Sequence, residues 1–386
     1  GLEGGQTVPI RGGGRLTGKA GDFTIGALNI QTGDAQGAAA SATNFTVLRV
    51  KRDILRRSRI GGIFTGRSAR PMAALEGDAG TNQVVGVDAA FAFYDNVNLT
   101  GYYARSNTPG LAGDDASYQS AFTYNGDLYA VQVDHLLVGD NFNPEIGFLR
   151  RDNFRRNFAQ FRFSPRPRSI PWLRRMIYQG SFDYITDMTG TLETRESKLR
   201  LEMELENSDR WYLQYTDSFE GLPEEFKLTS DVILPVGGYS FSHLRTEYDF
   251  GAQRRVSGRL FYTRGTFYSG TRSDVGYQGR AVFTPQLAIE PRISLSDVDL
   301  PQGSFTTTLL GTRASFTVSP RMFLAALLQF NSSSKAVDTN IRFRWEYEPG
   351  SDLFIVYSDG RDTGLEGFPR LENRSFVVKF TRLFRF

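Results

Sequence analysis

Lys198-Leu-Arg-Leu-Glu-Met-Glu-Leu-Glu206 decides the fold. Leu199, Leu201, Met203 and Leu205 occupy alternate positions, and Lys198, Arg200, Glu202, Glu204 and Glu206 occupy the rest. A period of two gathers each set on one face of an extended strand, whereas a helical period of 3.6 would scatter both. Asn340 to Glu348 repeats the pattern. There Ile341, Phe343, Trp345 and Tyr347 oppose Asn340, Arg342, Arg344, Glu346 and Glu348. A third run sets Val85, Val87, Ala89, Phe91 and Phe93 against Gly86, Asp88, Ala90, Ala92 and Tyr94. Rows of charge on one face and an apolar row on the other suit a wall between water and hydrocarbon.

Turn residues punctuate these runs in two styles. Tight turns fall at Ala20-Gly21-Asp22, Asp95-Asn96, Asn125-Gly126, Gly251-Ala252-Gln253, Ser319-Pro320 and Pro349-Gly350-Ser351. Asn-Gly between strands is a strong hairpin signal, because both residues tolerate positive φ. Longer connections fall at 31–43, 68–82, 138–152, 219–237 and 360–372. Short and long connections largely alternate, as in an up-and-down membrane barrel with turns at one end and loops at the other. We count about 21 candidate strands, many of roughly 9–14 residues, enough for tilted strands to cross a bilayer. More than half the chain would then be strand, far above the roughly 20–25% of ordinary domains.

The predicted fold class is an all-β transmembrane antiparallel up-and-down β-barrel, one domain over residues 1–386. Parity adds an expectation. The first strand, about 12–19, and the last run the same way, and single-chain barrels normally hold an even count. One further strand is therefore expected before it, upstream or partly within residues 1–11, giving about 22 in all.

Composition agrees. The 386 residues carry a formal net charge of +3, 13% aromatic and 23% charged residues, with a mean hydropathy of −0.33. The longest apolar run, Met322 to Leu328, is far short of the about 18–20 residues of a helical span. High aromatic content with little net charge argues against disorder. The absence of cysteine excludes a disulfide scaffold, thiolate catalysis and cysteine-bound zinc. Alternation accounts for many aromatics in a polar chain: aromatics and aliphatics go to a lipid-facing wall, charges to an inner one.

Gly1 opens the chain without a signal peptide, so an interior or mature segment is expected. The far end reads Ser375-Phe-Val-Val-Lys-Phe-Thr-Arg-Leu-Phe-Arg-Phe386. Phe376, Val378, Phe380, Phe384 and Phe386 alternate onto one face, broken by Arg382. A terminal strand ending in Phe resembles the assembly signal of bacterial outer-membrane barrels, with Phe380, Phe384 and Phe386 as its carriers.

Three further segments carry more than the generic pattern. They are Asn44 to Arg67, Gly139-Asp-Asn-Phe-Asn-Pro-Glu-Ile-Gly-Phe-Leu-Arg-Arg-Asp152 followed by Phe163-Ser-Pro-Arg-Pro167, and Arg344-Trp-Glu-Tyr-Glu-Pro-Gly-Ser-Asp-Leu-Phe-Ile-Val-Tyr357. Together they resemble an uncharacterised bacterial outer-membrane β-barrel family that follows an N-terminal domain similar to carbohydrate-binding module family 9. The resemblance covers essentially the whole chain. It implies the barrel fold, an outer-membrane location and a saccharide link through a domain outside this sequence, and it implies no catalytic residue.

Other chemistry is thinly represented. Asp140, Asn143 and Glu145 form an oxygen-rich loop that calcium would accept, though the spacing is not that of an EF-hand and these are ordinary turn formers. Asp114-Asp115 and Glu224-Glu225 read as solvated loop charges. His135 shares a face with Tyr129, Val131, Val133 and Leu137, a rim girdle position, and His243 has no adjacent Ser/Asp pattern. A hydrolase would need a base oriented by a carboxylate beside a nucleophile. Asp134 and Asp249 are present, but sequence alone brings neither to a serine.

The basic cluster Arg49, Lys51, Arg52, Arg56, Arg57 and Arg59 reads as lipid head-group contact or an inner ladder rather than a nucleic-acid site. The expected lumen-facing residues are Lys198, Arg200, Glu202, Glu204, Arg342, Arg344 and Glu346. A barrel of about 22 strands is too wide for side chains to fill, and the connection 219–237 is the candidate constriction. The expected function is an outer-membrane channel or transporter for oligosaccharides or other polar solutes. A non-transporting scaffold or surface-binding barrel is the alternative, and an outer-membrane hydrolase the third reading. Expected partners are outer-membrane lipid, the barrel-assembly machinery, a periplasmic or surface protein and a saccharide, with no nucleic acid and no cofactor.

Overall fold

The computed structural model describes all residues except 1, 4–5, 36–39, 70–79, 365–368 and 385–386, with side chains from residue 7 onward. The described residues form strands, turns and loops, with no helix. None is therefore long and apolar enough to cross a membrane as a helix. Leu2–Glu3 (β1) and Gln6–Thr7 (β2) pair only with each other. Wall strands follow as β3 (Ile10–Ala20), β4 (Phe23–Thr32), β5 (Thr43–Ile54), β6 (Ser58–Ala69), β7 (Thr81–Phe93) and β8 (Val97–Asn107). Next come β9 (Ala116–Asn125), β10 (Tyr129–Val138), β11 (Phe154–Phe163), β12 (Leu173–Thr186), β13 (Leu192–Leu205) and β14 (Arg210–Leu222). Phe226–Lys227 (β15) and Ile233–Leu234 (β16) form a small separate hairpin. The wall resumes with β17 (Gly237–Phe250), β18 (Val256–Phe267), β19 (Gly270–Val282), β20 (Leu287–Leu300) and β21 (Gly303–Ser319). It ends with β22 (Met322–Asn331), β23 (Ala336–Glu348), β24 (Ser351–Asp362) and β25 (Arg370–Phe380). These 21 wall strands run in chain order as an antiparallel up-and-down β-barrel, matching the strand count read from alternation.

By compactness the chain divides into two units: Gly1–Phe163 with Gly180–Ser197, and Ser164–Gln179 with Lys198–Phe386. The division crosses β12 and β13 within strands, not at a linker. In the first unit the expected turns at Ala20-Gly21-Asp22, Asp95-Asn96 and Asn125-Gly126 connect β3 to β4, β7 to β8 and β9 to β10. In the second, the turns at Gly251, Ser319-Pro320 and Pro349-Gly350 connect β17 to β18, β21 to β22 and β23 to β24. Gly21 and Gly350 have φ of +58° and +80°, values that favour glycine.

Four expectations shift. The first wall strand starts at Ile10, and the described residues before it form the separate β1–β2 pair. The basic stretch Pro171 to Arg175, expected from its proline and arginines to be a turn leading into a strand from Met176, enters β12 at Leu173. Arg174 and Arg175 both reach Glu204, and Glu206 N–H donates to the Trp172 carbonyl, so pairing begins early. The last strand ends at Phe380, not Phe386. Thr381 still exchanges backbone bonds with Asp352, but β24 begins at Ser351, so little partner strand remains. Phe384 lies past the strand, exposed, and Phe386 lies outside the described residues. Finally, β21 reaches 17 residues, longer than the strands counted from sequence.

Candidate functional site

Register sorts the side chains into two faces, because residues directly opposite in a pair share one. In the second unit Tyr212, Glu247, Phe261 and Gly276 form one such row across β14, β17, β18 and β19. Their face is charged; the other carries Tyr215, Leu244, Leu260, Tyr262 and Val275, all exposed. Leu199, on the apolar side of β13, is 66% exposed. Exposed aliphatics in rows are the signature of a wall that faces hydrocarbon.

The charged face is an ordered ion-pair network. Glu247, only 2% exposed, accepts from Tyr212 Oη at 2.5 Å, Arg245 Nη2 at 2.8 Å and Arg259 Nε at 2.7 Å. Arg245 also stacks over Phe261, 4.2 Å from the ring centroid. A carboxylate this buried needs such partners, since an isolated one would be strongly disfavoured. Farther along, Arg344 forks onto Asp352 at 2.8 and 3.3 Å. Asp359 is held between Arg361 and Arg374 at 2.6 and 2.8 Å.

Toward the loop end this face turns apolar. Leu222, Tyr239, Phe241, Phe267, Val298, Leu300 and Phe305 lie on the same face as Arg245, Arg259 and Asp274, nearer the loop ends of β14 and β17 to β21. The connection 223–236 folds over them, and its Val232 and Leu234 complete a buried cluster with Leu222, Tyr268, Val298 and Leu300. Leu234 has no exposed surface. Tyr268 sits at a tight turn with φ +49° and meets Tyr239 edge-on at 5.3 Å. Its hydroxyl donates to Glu220 at 2.8 Å. Burial, and next this bond, push its phenol well above the usual range. The connection expected as a constriction thus lies on the charged face, while the aromatics beneath it depart from the expected lipid-facing wall. They line the inner-type face because a loop covers them.

The first unit builds a comparable cover from different chemistry. Arg49 pairs with Asp88 at 2.6 Å on its charged face, and Gln119 donates to the buried Asp134 at 2.6 Å. Over this face folds the connection 139–153. Phe142 wedges against Val84 and Val138. Polar ties dominate elsewhere: Arg67 pairs with Glu145 at 2.8 Å, Asn82 donates to the Asn143 carbonyl at 2.7 Å, and Ser106 Oγ accepts the Asn143 N–H at 3.0 Å. On β11, where Arg and Phe fall on both faces, Arg156 forks onto Asp183 at 2.8 and 2.6 Å and stacks on Phe158. Arginine and phenylalanine share the charged face by stacking, which simple alternation cannot express.

The residues expected in a lumen fall on this face type. Arg200 pairs with Glu202 at 2.6 Å, and Glu204 binds Arg175 and Arg174 at 2.9 and 3.4 Å. Lys198 shares their strand face, half-buried. Arg342, Arg344 and Glu346 share one face of β23, where Glu346 accepts the Gly350 N–H at 3.0 Å. Of the oxygen-rich loop, Glu145 is neutralised by Arg67, Asn143 Nδ2 is 3.5 Å from Glu145, and Asp140 is exposed. No group of three His, Cys, Asp or Glu side chains fit to hold a metal occurs among the described residues. His135 bonds Asn157 at 2.8 Å and packs on Tyr118, on the opposite face from Asp134. His243 and Asp249 share a face of β17 but stand six residues apart, about 20 Å along the strand. Phe380 is exposed and stacks on Tyr347 at 5.2 Å.

Asp209 fastens the turn end of the second unit, a role sequence reading missed because Tyr248, Gly251 and Arg254 lie more than 35 residues away in sequence. It accepts from Gly251 N–H at 2.7 Å, Tyr248 Oη at 2.8 Å and Arg254 at 2.6 Å. Burial pushes its carboxyl up, but the Gly251 and Tyr248 bonds, the Arg254 charge and Asn207 together hold it below the usual carboxylate range.

No family model matches the sequence, and no curated protein matches it.

Proposed function

We propose that the chain is an outer-membrane channel whose charged face lines an aqueous path for polar solutes, with oligosaccharides the leading class. The opposition of the two faces carries this reading. Arginine–carboxylate pairs hold one face together, while unpaired aliphatic and aromatic side chains stand exposed on the other. Lipid solvates the apolar face, and water or sugar hydroxyls answer the charged one. Paired charges of both signs favour neutral hydroxyl-rich solutes over a single ion type. The resemblance to barrels that follow a carbohydrate-binding type of domain supports the same solute class.

Planar-bilayer recording of the refolded chain tests this. Discrete conductance steps are expected, with slower liposome swelling for larger saccharides. Silence from both the wild type and a variant with 223–236 shortened would overturn it. The cover formed by that connection favours a second reading, a sealed surface-binding barrel. That reading expects no conductance in any variant and capture of a stable periplasmic or surface partner.

A further inference from the structure

On the apolar face of the first unit the wall is dented. Phe23, Arg52, Ile60, Ala89 and Gly101 lie directly opposite one another across β4 to β8. The next row holds Val50, Gly62, Val87 and Tyr103. Gly62, Ala89 and Gly101 leave a floor with almost no side chain, while Phe91 and Leu99 rise on the turn side and Tyr103 on the loop side. The resulting groove has a volume of about 870 Å³, within the roughly 300–1,000 Å³ typical of small-molecule clefts. Its walls are apolar apart from Ser120 beside Gly101 and, on the opposite flank, Arg52. There Arg52 lies over the Phe23 ring at 5.2 Å and makes no ion pair among the described residues. Its neighbours' charges are answered: Asp53 by Lys19, and Asp95 by Arg57.

The geometry points to a binding groove for an anionic glycerophospholipid, its acyl chain over Gly62, Ala89 and Gly101 and its phosphate on Arg52. The inference rests on the reading of the apolar face as lipid-facing. Three features favour this occupant. The groove opens on the wall that would meet acyl chains. Its one cation stands at the turn end, the level of head groups on the periplasmic side of a barrel. A guanidinium forks onto phosphate oxygens and stacks on an aromatic ring together, as Arg52 is placed to do.

Native mass spectrometry of the full chain, released from micelles holding equal phosphatidylglycerol and phosphatidylcholine, tests it. The wild type is expected to retain one phosphatidylglycerol in preference to phosphatidylcholine. Arg52→Gln should reduce that preference about fivefold, the effect of one arginine at an anionic surface. Gly62→Leu should abolish retention of either lipid. A Cβ there meets only the Gly86 carbonyl at 3.8 Å, so the backbone tolerates it and the side chain fills the groove. Equal retention of both lipids by the wild type, or wild-type retention by Gly62→Leu, would overturn the site. So would preferential displacement of phosphatidylglycerol by lipid A. A folding control and a check on the underlying reading come from one further measurement. Trp345 stands 41% exposed on the apolar face, remote in sequence from the groove. Its quenching by brominated acyl chains is expected in wild type and both variants. Quenching without lipid preference sinks the groove alone, whereas no quenching in folded wild type sinks the lipid-facing wall.

Discussion

Two connections cover charged faces, one in each unit, and they are held in opposite ways. Residues 139–153 are tied by Arg67–Glu145, Asn82, Ser106 and a single wedge, Phe142. Residues 223–236 are held by an apolar cluster centred on Leu234 and Tyr268. A polar tether depends on paired charge and on each donor's geometry, so it yields to salt and to single side-chain changes. An apolar cover depends on excluded water and packing, so it yields when volume is removed or a charge is inserted. The polar connection declares itself in sequence through Asp, Asn, Pro and Glu. The apolar one carries the run Val232-Ile-Leu-Pro-Val236, but only its packing partners show that Val232 and Leu234 are the residues buried.

The difference is open to direct attack. The largest effect is expected at Leu234. Leu234→Ala should loosen the 223–236 cover by about 2–5 kcal/mol, the range for a buried leucine. Hydrogen exchange of that connection should rise, and any conductance should increase; unchanged exchange would refute the apolar cover. Glu247→Gln comes next. Leaving Arg245 and Arg259 without their shared buried carboxylate should destabilise the second unit by about 3 kcal/mol in chemical unfolding. Arg67→Ala should release residues 139–153 by about 1.5–3 kcal/mol, the worth of a charge-assisted bond. Molar salt should mimic part of that release while leaving 223–236 protected, and equal salt sensitivity in both would erase the contrast.

Two pH effects are smaller and opposite in sign. The Tyr268 phenol is raised in the folded chain, so its contribution is complete below its unfolded value of about 10 and fades as pH climbs beyond it. Protection of 223–236 relative to intrinsic amide exchange should fall in alkali, and Tyr268→Phe should remove that fall. The Asp209 carboxyl is lowered, so its contribution is complete above its unfolded value of about 4 and fades as pH falls through the lower folded one. The stability gap between wild type and Asp209→Asn should therefore narrow in acid; a constant gap would refute the role of that charge.

Much of the fold was legible because alternation is local. Leu199 to Leu205 and Ile341 to Tyr347 reveal their faces without reference to any other strand, and Asn125-Gly126 announces its turn. The dependence of β11 on stacking was not legible, since Arg156 is explained only by Asp183 and Phe158 together. Nor was the end of β25, which is set by where β24 begins. The charged rows of the candidate site were readable, but their pairing was not: Arg174 and Arg175 meet Glu204 across a strand boundary that sequence placed too late.

The sequence by itself determined an all-β wall with a charged and an apolar face, because a two-residue period survives without tertiary context. Only the tertiary structure decided which side chains those faces share with loops. Tyr239, Phe241, Phe267 and Phe305 lie on the charged side because Val232 and Leu234 cover them. Gly62, Ala89 and Gly101 form one groove because the β6–β7 and β7–β8 registers place Gly62 one row from the Ala89–Gly101 pair on the same face. Alternation fixes a residue's side of its own strand, whereas register and loop packing fix what stands beside it.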